Sequence, residues 1–150
     1  MRHFESLEQL KAAVGEELGV SAWHVVDQAR ITAFAHATDD HQWIHIDTAR
    51  AADGPFGQTI AHGFLTLSLM PVLVREVYSV DGVRMGINYG TNKVRFPEPV
   101  RSGGSVRARV RLDSAEDVPG GLQVVSHVVV ELAGSEKPCC VADLVTRFVA

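Results

Sequence analysis

A chain of 150 residues, 46% hydrophobic and 21% charged, has the make-up of an ordinary globular protein and is long enough to bury a substantial core. Its formal net charge of −4 argues against general binding to nucleic acid or to anionic membranes. No stretch approaches the roughly 18 uninterrupted apolar residues of a membrane span, and Met1-Arg2-His3-Phe4-Glu5 lacks the apolar run of a signal peptide, so a cytoplasmic protein is expected.

Leu7, Leu10, Val14 and Leu18 recur at helical spacing and Gly19 follows as a stop, which predicts an amphipathic helix within residues 1–19, packed on the body. Trp23 to Val26 reads as a short strand. Asp27 can cap a second helix, in which Ala29, Ile31, Ala33, Phe34 and Ala37 are small or apolar, and that helix delivers the chain to Asp40. Asp47-Thr48-Ala49-Arg50 reads as the cap and first turn of another helix, and Asp53-Gly54-Pro55-Phe56-Gly57 as a surface loop. From Ile60 through Val77 the chain is apolar nearly all round, the pattern of a buried helix, with Pro71 expected to kink it or to end a first segment.

From Val83 onward the hydrophobic period changes to two. Val106, Ala108, Val110 and Leu112 alternate with Arg107, Arg109 and Arg111, which is the signature of a strand with one wet face. Further strands are predicted over Met85 to Phe96, Leu122 to Leu132 and Val141 to Val149, with Pro119-Gly120-Gly121 and Ala133-Gly134-Ser135 as turns. Consecutive strands joined by short turns make an antiparallel sheet, and the one buried helix before them is what that sheet wraps, so the class is α+β. No repeat or linker breaks the chain, and residues 1–150 read as one domain. Cys139 and Cys140 are adjacent in an apolar run, where a mutual disulfide would be strained, and read as reduced packing residues.

Polar chemistry is concentrated between Asp39 and His45, where two acids and two histidines surround Gln42, Trp43 and Ile44. General acid/base work needs a proton acceptor and donor that reach the same small molecule. On one continuous helix Asp40 and His45 would point about 140° apart, so they converge only if the helix ends between them. Trp43 and Ile44 suit an extended or turning exit. Downstream, Gly63 lacks a side chain at the start of the buried helix, where backbone N–H groups carry the positive end of the helix dipole and a ligand could approach them.

Taken together, Asp40-His41-Gln42-Trp43-Ile44-His45, Ala61-His62-Gly63-Phe64-Leu65 and the meander with Phe96-Pro97-Glu98-Pro99-Val100 and Gly103-Gly104 resemble the MaoC-like (R)-specific enoyl-CoA hydratases of the hotdog fold, over residues 20–148. The family pattern is Asp-x-Asn-Pro-aliphatic-His. Asp40, Ile44 and His45 match it, whereas Gln42 stands for Asn, Trp43 for Pro, and Asp39 for the glycine before the acid. A serine that some members carry on the buried helix aligns with Pro71, so no role is transferred to it. The resemblance implies a homodimer with two sheets joined edge to edge, the acyl chain beside the buried helix, and reversible addition of water to a trans-2-enoyl thioester. It implies Asp40 and His45 as the catalytic pair; the Gly63 N–H at the helix start is the candidate oxyanion donor, Asn88, in a run polar for a strand interior, is a candidate substrate-lining residue, and His62 reads as a structural hydrogen-bonder shaping the loop before Gly63 or as a second lining residue. No metal or organic cofactor is needed, and the expected partner is enoyl-CoA or an acyl-carrier-protein thioester.

Other readings compete. His36, Asp40, His41 and His45 could be metal ligands, since His41 and His45 have the i, i+4 spacing of two ligands on one helix. Arg107, Arg109 and Arg111, with Lys93 and Arg95 on what is read as a neighbouring strand, make basic stripes. These are a solvated sheet face, or in part contacts to the phosphates of coenzyme A. A hotdog thioesterase usually wants a carboxylate on the buried helix, and residues 60–74 hold none. A dehydratase acting on a carrier-protein thioester uses the same equilibrium in reverse. A non-catalytic acyl-thioester binding module would keep the tunnel but lose the Asp/His pair.

Overall fold

The computed structural model describes residues 1–150 and begins with a short strand, β1 (Arg2–Phe4). Ser6 caps the next element by accepting from the Gln9 N–H, and α1 (Leu7–Ala12) buries Leu10. The helix expected to run on toward Leu18 stops here. Gly15, at φ +91°, turns the chain, and its N–H donates to the Leu112 carbonyl at 2.7 Å. Leu18 then lies in a strand, β2 (Glu17–Val20), because an open sheet edge offers ladder partners that a lone helix end cannot.

After β3 (His24–Val26), Asp27 accepts from the Arg30 N–H and starts α2 (Gln28–Thr38), as its position predicts. Two short helices follow, α3 (Trp43–Ile46) and α4 (Thr48–Ala52), the second capped by Asp47. The long helix α5 (Gly63–Val77) continues past Pro71 without ending there. It buries Leu65, Thr66, Met70, Leu73, Val74 and Val77. It is not covered all round, however: Phe64 is 68% and Val72 37% exposed, and Ser68 between them is open. The last five strands are β4 (Tyr78–Val80), β5 (Met85–Arg95), β6 (Gly104–Val118), β7 (Gly121–Leu132) and β8 (Cys140–Val149).

The main sheet runs β2-β6-β7-β8-β5, with β3 also on β6, and every pairing in it is antiparallel. Valines and leucines at alternate positions of β6, β7 and β8 line its inner face, where Val106, Val110, Leu112, Val124, Val128 and Val130 are fully or almost fully buried beneath α5. A second, parallel pair joins β1 to β4. The mixed class and the wrapped helix are as expected. β5 is separated from β6 by two strands, so Lys93 and Arg95 do not neighbour the arginines of β6, which corrects the reading of them as adjacent stripes. The other edge of β5 is unpaired and carries exposed Met85, Ile87 and Tyr89. Cys139 and Cys140 are free and buried, and burial pushes both thiols up to about 12. No helix is long and apolar enough to cross a membrane.

Candidate functional site

Between α2 and α3 the backbone makes the break that convergence requires. Asp39, just past the helix, adopts φ +59°, the left-handed region in which glycine is the usual residue and Asp or Asn the tolerated exceptions. That accounts for a glycine at this place in the family pattern. Gln42 and Trp43 are the N-cap and first residue of α3. Proline suits a first helical position and Asn caps well, so Asn-Pro would fit the same backbone. Gln42 makes no side-chain cap, so the departure costs a hydrogen bond and leaves the path of the chain intact. Trp43 and Ile44, expected in an extended or turning exit, form the turn of the short α3. The Trp43 ring is covered by the Arg50 guanidinium at 4.2 Å.

The outcome is that Asp40, His45 and His62 present polar atoms all within 4.8 Å of one another. His45 is 6% exposed, and its Nδ1 lies 2.7 Å from the Ile60 carbonyl. A carbonyl only accepts, so Nδ1 carries the hydrogen in the neutral ring and Nε2 is the free acceptor. Burial, the largest influence, holds this imidazole below its ordinary value, and the facing His62 adds to that, while the Ile60 carbonyl and Asp40 oppose it. Asp40 is half exposed, accepts weakly from the Gln42 N–H at 3.4 Å, and has no arginine or lysine at ion-pair distance.

His62 is 3% exposed and is the N-cap residue of α5. Its Nε2 donates to the Asp40 main-chain carbonyl at 3.0 Å, its Nδ1 is buried with no partner, and its ring stacks on His45 with centroids 3.7 Å apart. One nitrogen is thus engaged by the main chain before α3 and the other is buried, an arrangement in keeping with a hydrogen-bonder that shapes the loop before Gly63. Gly63 follows at the helix start, and its N–H takes no acceptor within the chain. Beside its Cα lies Phe96: a Cβ there would stand 3.0 Å from the ring, so the missing side chain makes room for Phe96 as well as for an approaching ligand. Asn88 lies on the free-edge strand, where with Pro71 and Leu144 it lines two adjoining cavities of about 200 and 480 Å³ along α5. The Ser68 hydroxyl donates back to the Phe64 carbonyl at 2.6 Å.

Some of the supporting residues escape sequence reading. Gln28 donates to the His45 carbonyl at 2.8 Å and accepts from the Thr59 hydroxyl, which ties α2, α3 and the approach to α5 together. Phe34 packs tilted against His62, with ring centroids 4.9 Å apart. These partners lie 17 to 31 residues apart along the chain or share only apolar character, so no local spacing marks them.

A metal reading fares less well. His36 and His41 contact each other at 3.0 Å and stand apart from the cluster of Asp40, His45 and His62. Within that cluster His62 has its Nε2 on the Asp40 carbonyl, and its Nδ1 is buried. The arginines of β6 are paired: Arg107 with Glu131 at 2.6 Å, Arg109 with Glu131 and Glu17, and Arg111 with Asp113. They form the solvated face of the sheet. Glu76 near the end of α5 is bound to His24 at 2.7 Å and to the Ala22 N–H.

Comparison with known proteins agrees with this geometry. The chain is 53% identical, over the full length of both, to 3-hydroxyacyl-thioester dehydratase Z of Mycobacterium tuberculosis. Its fold matches the R-hydratase PhaJ1 of Pseudomonas aeruginosa with a TM-score of 0.72 at 21% identity, covering 96% of this chain and 85% of that one. It matches a monoamine oxidase regulatory protein from Archaeoglobus with a TM-score of 0.76 at 24% identity, covering 99% and 95%. The MaoC like domain matches residues 9–132, and with the hotdog architecture and the Asp40/His45 constellation this places the chain in the MaoC-like dehydratase family.

Proposed function

We propose that the protein is a hydro-lyase that interconverts trans-2-enoyl-CoA and (R)-3-hydroxyacyl-CoA, with Asp40 and His45 holding the water. The observation that carries this is the convergence of a half-exposed carboxylate without a counter-cation and an imidazole with a free Nε2 beside the start of α5. Both are acceptors, so one water can give a hydrogen bond to each and keep a lone pair for C3. In hydration the oxygen bonds to C3, one water proton passes to the pair, and the pair returns a proton to C2 as the thioester enolate collapses. The Gly63 N–H is the donor for the enolate oxygen, a contribution of about 3 to 4 kcal/mol in other enzymes. Dehydration runs the same steps backwards. The dehydratase name of the M. tuberculosis relative favours that direction, and a carrier-protein thioester is the second substrate reading.

The acyl chain is assigned to the cavities along α5 that Pro71, Asn88 and Leu144 share. A homodimer completes this reading: the open stripe of Phe64, Ser68 and Val72 on α5 and the unpaired edge of β5 are surfaces a second copy would cover. Residues 1–150 act as one domain in the cytoplasm, with no cofactor. The test is to incubate the protein with crotonyl-CoA and longer trans-2-enoyl-CoAs and follow loss of the conjugated thioester. Consumption with formation of the (R)-3-hydroxy product is expected, and no turnover on either the CoA or the carrier-protein thioester would leave the binding-module reading.

A further inference from the structure

His62 is buried more deeply than its hydrogen bonding warrants. It is 3% exposed, and its Nδ1 is the one buried side-chain nitrogen or oxygen in the protein without a partner. Buried polar atoms are normally satisfied, so an orphan that persists calls for a reason. A tautomer follows from the contacts. The Asp40 carbonyl can only accept, so Nε2 carries the hydrogen and Nδ1 is a bare lone pair facing no donor.

We propose that His62 is a positioning residue for the catalytic pair, a role that rests on the function proposed above. Its Nε2–H fixes the main chain of Asp40, and its ring, backed by Phe34, is the platform on which the His45 imidazole lies, so one side chain sets the relation between carboxylate and base. A glutamine could hold the carbonyl and a phenylalanine could hold the ring. Only an aromatic N–H donor does both, and the orphaned Nδ1 is the consequence of that double duty.

A charge consequence follows. The titratable groups facing His45 are His62 and Asp40, and the other neighbours, Gln28 and the Ile60 carbonyl, are neutral. Exchanging that ring for a phenyl removes the neighbouring imidazole that holds His45 down and gives the protonated His45 a better cation–π face, moving its titration up.

Two variants separate the roles. His62→Phe keeps a ring against Phe34 and His45 and loses the donor, while His62→Gln keeps the donor and loses the ring. The His45 imidazole is titrated by NMR in the substrate-free protein, and kcat and KM are measured across pH. We expect kcat to fall about 10-fold or more in both variants, with KM nearly unchanged. In His62→Phe alone, the His45 titration and the acidic limb of kcat/KM should shift upward together. A drop in thermal stability with an unmoved titration and wild-type kcat per folded molecule would overturn the proposal, reducing His62 to packing. Should His62→Phe fail to fold, His62→Gln decides alone: a kcat lowered at nearly unchanged KM supports the proposal, and a wild-type kcat overturns it. The NMR arm needs no turnover. A shifted His45 in a protein whose wild type hydrates nothing would sink the function above and leave the coupling, and an active wild type with an unshifted His45 would do the reverse.

Discussion

Two clusters in this molecule are made of the same chemistry. Asp40, His45 and His62 meet at the start of α5, and Asp113, His127 and Asp143 meet on the outer face of the sheet, each with ligand atoms within 4.8 Å. On the sheet face every charge is answered. Asp113 is held by Arg111, which keeps its carboxyl below the usual range, and Asp143 takes His127 at 2.8 Å and Lys93 at 3.8 Å. At the helix start Asp40 has no counter-cation, His45 is desolvated, and an unused N–H waits at Gly63. The difference teaches that residue type and proximity do not make a site. Unanswered valence does.

The contrast can be broken in several ways, from large effects to small. Asp40→Asn and His45→Ala should each lower kcat by at least about 10²-fold with the fold retained, the range that loss of a general acid or base produces, and near wild-type rates in either would equate the two clusters. The pH response should come next. His45 sits below its ordinary value near 6.5 in the folded protein, so at lower pH the unfolded chain binds the proton more readily than the native one. Its contribution to stability is therefore complete above about pH 6.5 and is lost as pH falls through the lowered folded value. Melting curves should show that slope, weakened in His45→Asn, and the acidic limb of kcat/KM should lie below 6.5. Gln42→Asn should supply the missing α3 cap and raise stability by about 0.5 to 1 kcal/mol in chemical denaturation. Asp143→Asn, on the paired side, should leave kcat per folded molecule untouched.

Much of this was legible beforehand, for physical reasons that differ from element to element. The period-two alternation of Val106 to Leu112 against its arginines records a face that is truly one-sided, and the cap residues Asp27 and Asp47 act within three residues of where they stand. Asp40 and His45 were legible because a motif holds them close in sequence. The early helix failed because Leu18 answers to a sheet edge nearly a hundred residues away, paired through Glu17 with Arg111. Lys93 and Arg95 were misplaced because chain order gives no hint that β8 returns between β7 and β5. The roles of Gln28, Thr59 and Phe34 arise only when distant segments meet, and no alternation or spacing carries them.

The double variant Asp40→Asn/His45→Ala, assayed beside the two single variants on one trans-2-enoyl-CoA, tests the central claim most directly. If both side chains grip the same water, either loss already removes its activation, and the double variant should be no slower than the worse single one by more than a few-fold. Multiplying losses would mean that the two groups act separately, and the account of a shared water would be wrong.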